Sequence, residues 1–286
     1  MKKILVILGV LVMSAGMGCA SGCDDFRCPA NPYDGTLSFS NFTGVNFLAE
    51  RLGNAIIKKA ILKNSKGKYK VNLQSYNTTA LKRGEFKSLE IKGTDTVTEG
   101  IYISNVKLKT LCDYNYIEIN NKDNVAIFQK PFGMLYTLQF NQNDLNSTMQ
   151  GASYKEMIRK INSIGNTYKL FNISSTSAKI ENNKLYYTFN AVIPLLKMKQ
   201  DITLETDIRA RGGQIVLNNA KLVSNSFKVD MSKLQKILNY LNPLEFAMGI
   251  FAEQDAKTKI EEITIKDNII NLTGIMVIEE GTVTDL

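Results

Sequence analysis

The chain has 286 residues, with 35 Lys and Arg against 27 Asp and Glu, a formal charge of +8, five prolines, four cysteines, no tryptophan and no histidine. The missing histidine excludes Ser-His-Asp, Cys-His and His-ligated metal chemistry in one step. Four cysteines in a chain this long make no disulfide framework, and their spacing does not read as a zinc site.

In chain order, Met1-Lys2-Lys3 supplies a short positive region. Ile4 to Val12 is an apolar run of signal-peptide length, far short of the roughly 20 residues a spanning helix needs. Small residues from Ser14 to Gly18 lead to Cys19, and a second approach, Ala20-Ser21-Gly22, leads to Cys23. A cysteine just after such a segment resembles the lipobox of bacterial lipoproteins, where the thiol is acylated and becomes the new N-terminus. Cys19 is better placed relative to the apolar core, while Cys23 has the better immediate context. Both are candidate lipidation sites, and the signal ends at residue 18 or 22. The resemblance implies an exported protein anchored to a membrane of the cell envelope. Ordinary cleavage to a soluble periplasmic or secreted protein is the alternative. The choice sets the remaining cysteines. With Cys23 lipidated, Cys28 and Cys112 remain as one pair. With Cys19 lipidated, Cys23 and Cys28 could close a small loop and leave Cys112 a buried thiol.

Residues 23–40 read as a tether and residues 41–286 as a single domain, since no Pro/Gly/Ser-rich stretch interrupts them. A helix is expected from Asn46 to Leu62, with Leu48, Leu52, Ala55 and Ile56 on one stripe. Nine basic residues and no acidic one lie between Arg51 and Gly84. In an exported protein, anionic head groups suit such a stretch, with contacts from Lys58, Lys59, Lys63 and Lys66. A solvated face is the plainer reading. Alternating segments follow at 68–74, 86–92, 101–108, 116–119, 125–128 and 134–140. In the last, Met134, Tyr136, Leu138 and Phe140 share one face. Asn141 to Asp144 reads as a helix cap, and the helical pattern restarts at Ser153 and stops at Gly165-Asn166.

Strands resume at 168–173, 178–180, 184–193, 202–208, 215–217 and 221–223. Asn182-Asn183 and Gly212-Gly213 are turn pairs that tolerate positive φ. A third helix is expected from Asp230 to Leu241, ending near Pro243. Two last strands, 260–266 and 269–278, meet at Asp267-Asn268. The segments Ala178–Ile193 and Ile263–Ile278 align as two similar hairpins.

About a dozen strands with three modest helices indicate α+β with a strongly twisted antiparallel sheet curled around two or three amphipathic helices. Such a curl leaves an apolar groove or tube unless large side chains fill it. The sequence has no G-x-S-x-G elbow, P-loop or G-x-G-x-x-G after a strand, and its adjacent acidic pairs would point to opposite strand faces. A reactive Cys112 is set against the plainer reading of a buried structural cysteine. No enzyme, cofactor, metal or nucleic-acid role is expected.

Ser88–Gly93, Gly100–Leu108, the step into Phe140–Asn146, Gly212–Leu222, Leu238–Leu244 and the closing Ile263–Ile270 resemble the LmeA-like phospholipid-binding family of envelope proteins. That family is itself similar to the tubular lipid-binding (TULIP) superfamily. The resemblance implies a TULIP-like, non-enzymatic protein that holds acyl chains of a phospholipid or similar amphiphile inside a curled sheet. The expected acyl site is lined by Leu48, Leu52 and Ile56 from the first helix and by Leu234, Ile237 and Leu241 from the third. Tyr136, Leu138, Tyr187 and Phe189 complete it from strands. The rival is a structural or protein-interaction lipoprotein whose tube is filled by side chains.

Overall fold

The structure is a computed structural model that describes residues 23–34, 44–120, 123, 125–167, 172–193, 198–223, 242–250 and 256–285. The expected signal segment with Cys19, the latter part of the tether, and the expected third helix with Leu234, Ile237 and Leu241 lie outside these residues.

Three antiparallel sheets organise the described chain, which is α+β. The largest has six strands in the order β1 (Ser65–Gln74), β3 (Ser88–Thr98), β4 (Ile101–Thr110), β7 (Phe132–Phe140), β13 (Ile269–Ile278) and β12 (Ala256–Lys266), and it curls into a half-barrel. A second sheet runs β11 (Gln214–Leu222), β10 (Met198–Arg211), β9 (Lys184–Ile193), β8 (Asn172–Glu181). A small third sheet joins β14 (Val283–Asp285), β6 (Val125–Phe128), β5 (Asn115–Asn120) and β2 (Glu85–Phe86). Several segments expected as separate short strands are single long ones. The segments 215–217 and 221–223 merge in β11, and 178–180 is the latter part of β8.

The curl has a local cause. Along β3 the inward face passes from Gly93 to Thr96 across two exposed residues, Thr94 and Asp95. Asp95 sits at φ 53°, and β1 shifts register at the same level around Gly67, whose φ is 141°. An extra residue in a strand bends it and increases its twist. The two asparagine-containing hairpin turns singled out in the sequence have paired positive φ, at Asn182-Asn183 and at Asp267-Asn268, and so does Gly212-Gly213. Two such residues make the tight turn whose twist matches its strands. The two turns also meet: each of Asn183 and Asn268 donates its backbone N–H to the other's side-chain oxygen at 3.4 Å.

Asparagine and glutamine side chains finish the sheet edges. An edge strand exposes unpaired N–H and C=O groups that invite foreign strands. On β8, Asn146 accepts from Ala178 N–H at 2.9 Å and donates to its carbonyl at 2.8 Å. Asn162 does the same for Ile173, and Gln142 accepts from Ile180 N–H. These amides come from α3 (Gln142–Gln150) and α4 (Ala152–Thr167). Helix α3 opens with the expected cap, a reciprocal Asn141–Asp144 box. A short helix, α2 (Thr78–Arg83), sits between β1 and β2.

The first helix, α1 (Gly44–Asn64), uses the same device on β1. Asn54 accepts from Leu73 N–H at 2.7 Å, and Glu50 accepts from Ser75 N–H at 2.7 Å. Ile57, Ala60 and Ile61 complete that inward face and are buried. The stripe of Leu48, Leu52, Ala55 and Ile56, expected to face the sheet, is on the opposite side. Leu48 is 58% exposed and Leu52 66% exposed. Helix α5 (Pro243–Ile250) begins where the sequence pattern suggests an ending. Proline fits the first helical turn, which needs no amide donor there, and Asn242 accepts from Leu244 N–H at 3.1 Å.

Residues 23–34, expected to belong to the tether, are strapped to the domain. Asp24 pairs with Lys259, Phe26 packs over Gly133, and Cys28 is disulfide-bonded to Cys112. The Tyr33 ring stacks on Tyr76 at 4.2 Å, and its hydroxyl donates to Glu85 at 2.6 Å. Of the cysteine arrangements open in the sequence, the structure therefore shows Cys28 with Cys112, and Cys23 is free and buried.

Candidate functional site

An apolar groove runs across the concave face of the half-barrel. Every strand of the six-stranded sheet contributes to its wall: Tyr69 from β1, Ile91 from β3, Leu108 from β4, Tyr136 and Leu138 from β7, Met276 from β13 and Thr258 from β12. Ile61 of α1 and Met248 of α5 complete the lining. The space in and over the groove, open solvent included, is about 670 Å³. Its side-chain polar atoms are all hydroxyls, from Thr96, Thr98, Thr258, Tyr69 and Tyr136. The lining holds no carboxylate and no amine.

Two tyrosines shape the floor by lying over glycines. Tyr69 faces Gly93 directly across β1 and β3, and Tyr136 faces Gly274 across β7 and β13. A Cβ on Gly93 would sit 2.7 Å from the Tyr69 ring, and one on Gly274 would overlap the Tyr136 ring and the Lys259 carbonyl. Glycine is needed here for close approach, since only a bare Cα leaves room for the ring.

Burial pushes both phenols above their ordinary range, so both are neutral donors at physiological pH. Tyr136 donates to the Lys259 carbonyl at 3.3 Å, and Thr96 donates to the Ile103 carbonyl at 3.1 Å. The hydroxyls of Ser65, Thr96 and Thr98 lie near the Tyr69 phenol and oppose part of the burial effect. Apart from these hydroxyls, the groove presents methyl, methylene and ring surface. Such a wall suits an apolar chain.

The residues expected to line the site divide sharply. Tyr136 and Leu138 line the groove. Leu48 and Leu52 do not: α1 turns its Glu50–Asn54–Ile57–Ile61 side inward because β1 needs edge partners, and that puts the leucines in solvent. Ile56 is half-buried and is not part of the lining. Tyr187 and Phe189 are buried in the second sheet instead. There the Tyr187 hydroxyl is 2.8 Å from that of Tyr154, whose ring meets Phe246 edge-on. These two strand residues fill a core under α4 and α5, so their alternation marks burial without a cavity.

Sequence reasoning missed Ile61, Met248, Met276 and the inward residues of β3 and β4. Period-two alternation in those strands was a usable signal, but the change of phase at Asp95 hid which residues share a face. Lys58, Lys59, Lys63 and Lys66 are all exposed, and none has an ion-pair partner among the described residues. Cys23 donates its thiol to the Lys257 carbonyl at 3.4 Å, and burial pushes that thiol's pKa up. Cys112 is buried within its disulfide.

Among the described residues, no helix is long and apolar enough to cross a membrane, and no group of three acidic or cysteine side chains could hold a metal ion. Comparison of the chain with protein-family models, curated proteins and solved structures finds no match.

Proposed function

We propose that this protein is a non-enzymatic binder of a phospholipid or similar amphiphile, with the acyl part in the groove of the half-barrel. The observation that carries the reading is the lining: six strands and two helices contribute to one continuous apolar wall whose only polar side-chain atoms are hydroxyls. Burying a methylene is worth about 0.8 kcal/mol, so eight methylenes in such a groove gain roughly 6 kcal/mol before ordering costs. The curled antiparallel sheet and the resemblance of the sequence to the LmeA-like family support the same reading. Storage, transfer or envelope upkeep are the roles it fits. The lipobox-like segment adds an acyl anchor at Cys19 or Cys23. Cys28 and Cys112 are already paired, so Cys23 is the one unpaired thiol among the described residues.

Native mass spectrometry of the gently purified full chain tests the binding. The expected spectrum shows the protein with one co-purified amphiphile, released on raising the collision energy. A lipid-free mass under these conditions, with no uptake from added phospholipid micelles, overturns the reading and leaves a structural or protein-interaction lipoprotein. Metabolic labelling with a fatty-acid analogue tests the anchor. Label that survives both Cys19→Ala and Cys23→Ala sinks it.

A further inference from the structure

Helix α1 is amphipathic in the wrong direction for a buried helix. Its inward side is built from Glu50, Asn54, Ile57 and Ile61, and its outward side carries Leu48, Leu52 and Leu62, at 58%, 66% and 43% exposure. Three of the eight exposed large hydrophobic residues of the described chain thus sit on one helix. At helical spacing Leu48, Leu52, Lys59 and Lys63 share one face, since positions three, four and seven apart fall on one side. From Arg51 to Gly84 the chain has nine basic residues and no acidic one. Arg51, Lys58, Lys59 and Lys63 have no ion-pair partner among the described residues.

We infer that α1 docks this protein on an anionic bilayer, with Leu48 and Leu52 entering the acyl boundary and Lys59 and Lys63 meeting head-group phosphates. Unpaired cations beside exposed leucines match the two layers of such a surface, charge outermost and hydrocarbon beneath. A protein partner would need acidic groups set beside an apolar cleft. A bilayer supplies both layers at every point. The inner side of the same helix lines the groove through Ile61, so one helix would separate membrane from acyl site. The docking geometry stands apart from the acyl-binding reading, because Leu48 and Leu52 do not line the groove.

The chain has no tryptophan, so a Trp placed on α1 is a unique reporter. Full-length Leu52→Trp should shift its emission to the blue on vesicles of phosphatidylglycerol and phosphatidylcholine, and brominated acyl chains should quench it. Val283→Trp, exposed elsewhere, should do neither. The double change Leu48→Ser with Leu52→Ser should weaken co-sedimentation with these vesicles by roughly tenfold or more. Lys59→Glu with Lys63→Glu should lower binding to anionic vesicles roughly tenfold or more while leaving weak binding to neutral ones unchanged. Mass spectrometry of co-purified lipid on the same variants reports the groove independently. Absence of co-sedimentation by the wild type, unshifted emission from vesicle-bound Leu52→Trp, or vesicle-free self-association that the serine changes abolish would each overturn the docking.

Discussion

The groove is best tested by filling it. Val106 faces the groove between its cross-strand partners Gly93 and Leu138, and it is only half-buried. A Val106→Trp side chain would extend into the groove and leave room for about half of an eight-methylene segment. Losing four methylenes costs about 3 kcal/mol, a roughly 150-fold fall in affinity. If the groove takes up the indole without displacing its walls, the lipid-free protein should lose less than about 1 kcal/mol, or under about 4 °C in Tm. In a filled core, overpacking would instead cost about 1–3 kcal/mol. Bound lipid is scored by native mass spectrometry and stability by thermal unfolding after delipidation. A variant that melts several degrees lower and still carries its lipid would refute the argument, because Val106 would then be packed core.

Three further outcomes follow from the geometry. Gly274→Ala forces a Cβ against the Tyr136 ring and the Lys259 carbonyl, and should cost about 1–3 kcal/mol in denaturant unfolding; an unchanged midpoint denies the ring-over-glycine packing. Serine at both Cys28 and Cys112 opens a link spanning 84 positions and should lower stability by up to roughly 4 kcal/mol, with the wild type matching the variant only in reductant. At Glu85, burial works to raise the carboxyl's pKa, but hydrogen bonds from Tyr33 and Arg83 outweigh it and leave a net lowering. A depressed folded value means the stabilisation is complete above the ordinary carboxylate range and disappears as pH falls through the lower folded value. The Tm gap between wild type and Glu85→Gln should therefore be constant near neutrality and close below about pH 4; a gap that persists in acid refutes the role given to this carboxylate.

Where pattern and local chemistry coincide, the fold was readable. The alternation of Met134, Tyr136, Leu138 and Phe140, the Asn141–Asp144 box and the two Asn-containing turns are all in place. Orientation was harder. The apolar stripe of α1 was a sound periodic signal attached to the wrong side, because Glu50 and Asn54 bond the edge of β1 in a way that apolar side chains cannot. Tyr187 and Phe189 show the same limit, since alternation reports burial and not what covers the face. Bulges such as that at Asp95 change which residues share a face, and no composition rule marks them in advance. The amides that close the β8 edge explain part of the asparagine content, yet their partners are 11 to 38 positions away in sequence.

The disulfide of the N-terminal strap also sets a length. A free tether over residues 23–40 would let an acylated Cys23 hold the domain roughly 60 Å from the bilayer. With Cys28 fixed to Cys112, five residue steps remain between anchor and domain, a reach of at most about 18 Å even if the strap peels away. So short a leash would keep an anchored domain within about its own radius of the bilayer. It would also raise the local concentration of α1 at that surface far above what free diffusion provides. Reducing the disulfide would leave the strap held by the Asp24–Lys259 pair and the Tyr33 contacts, so the leash would lengthen only if those gave way as well.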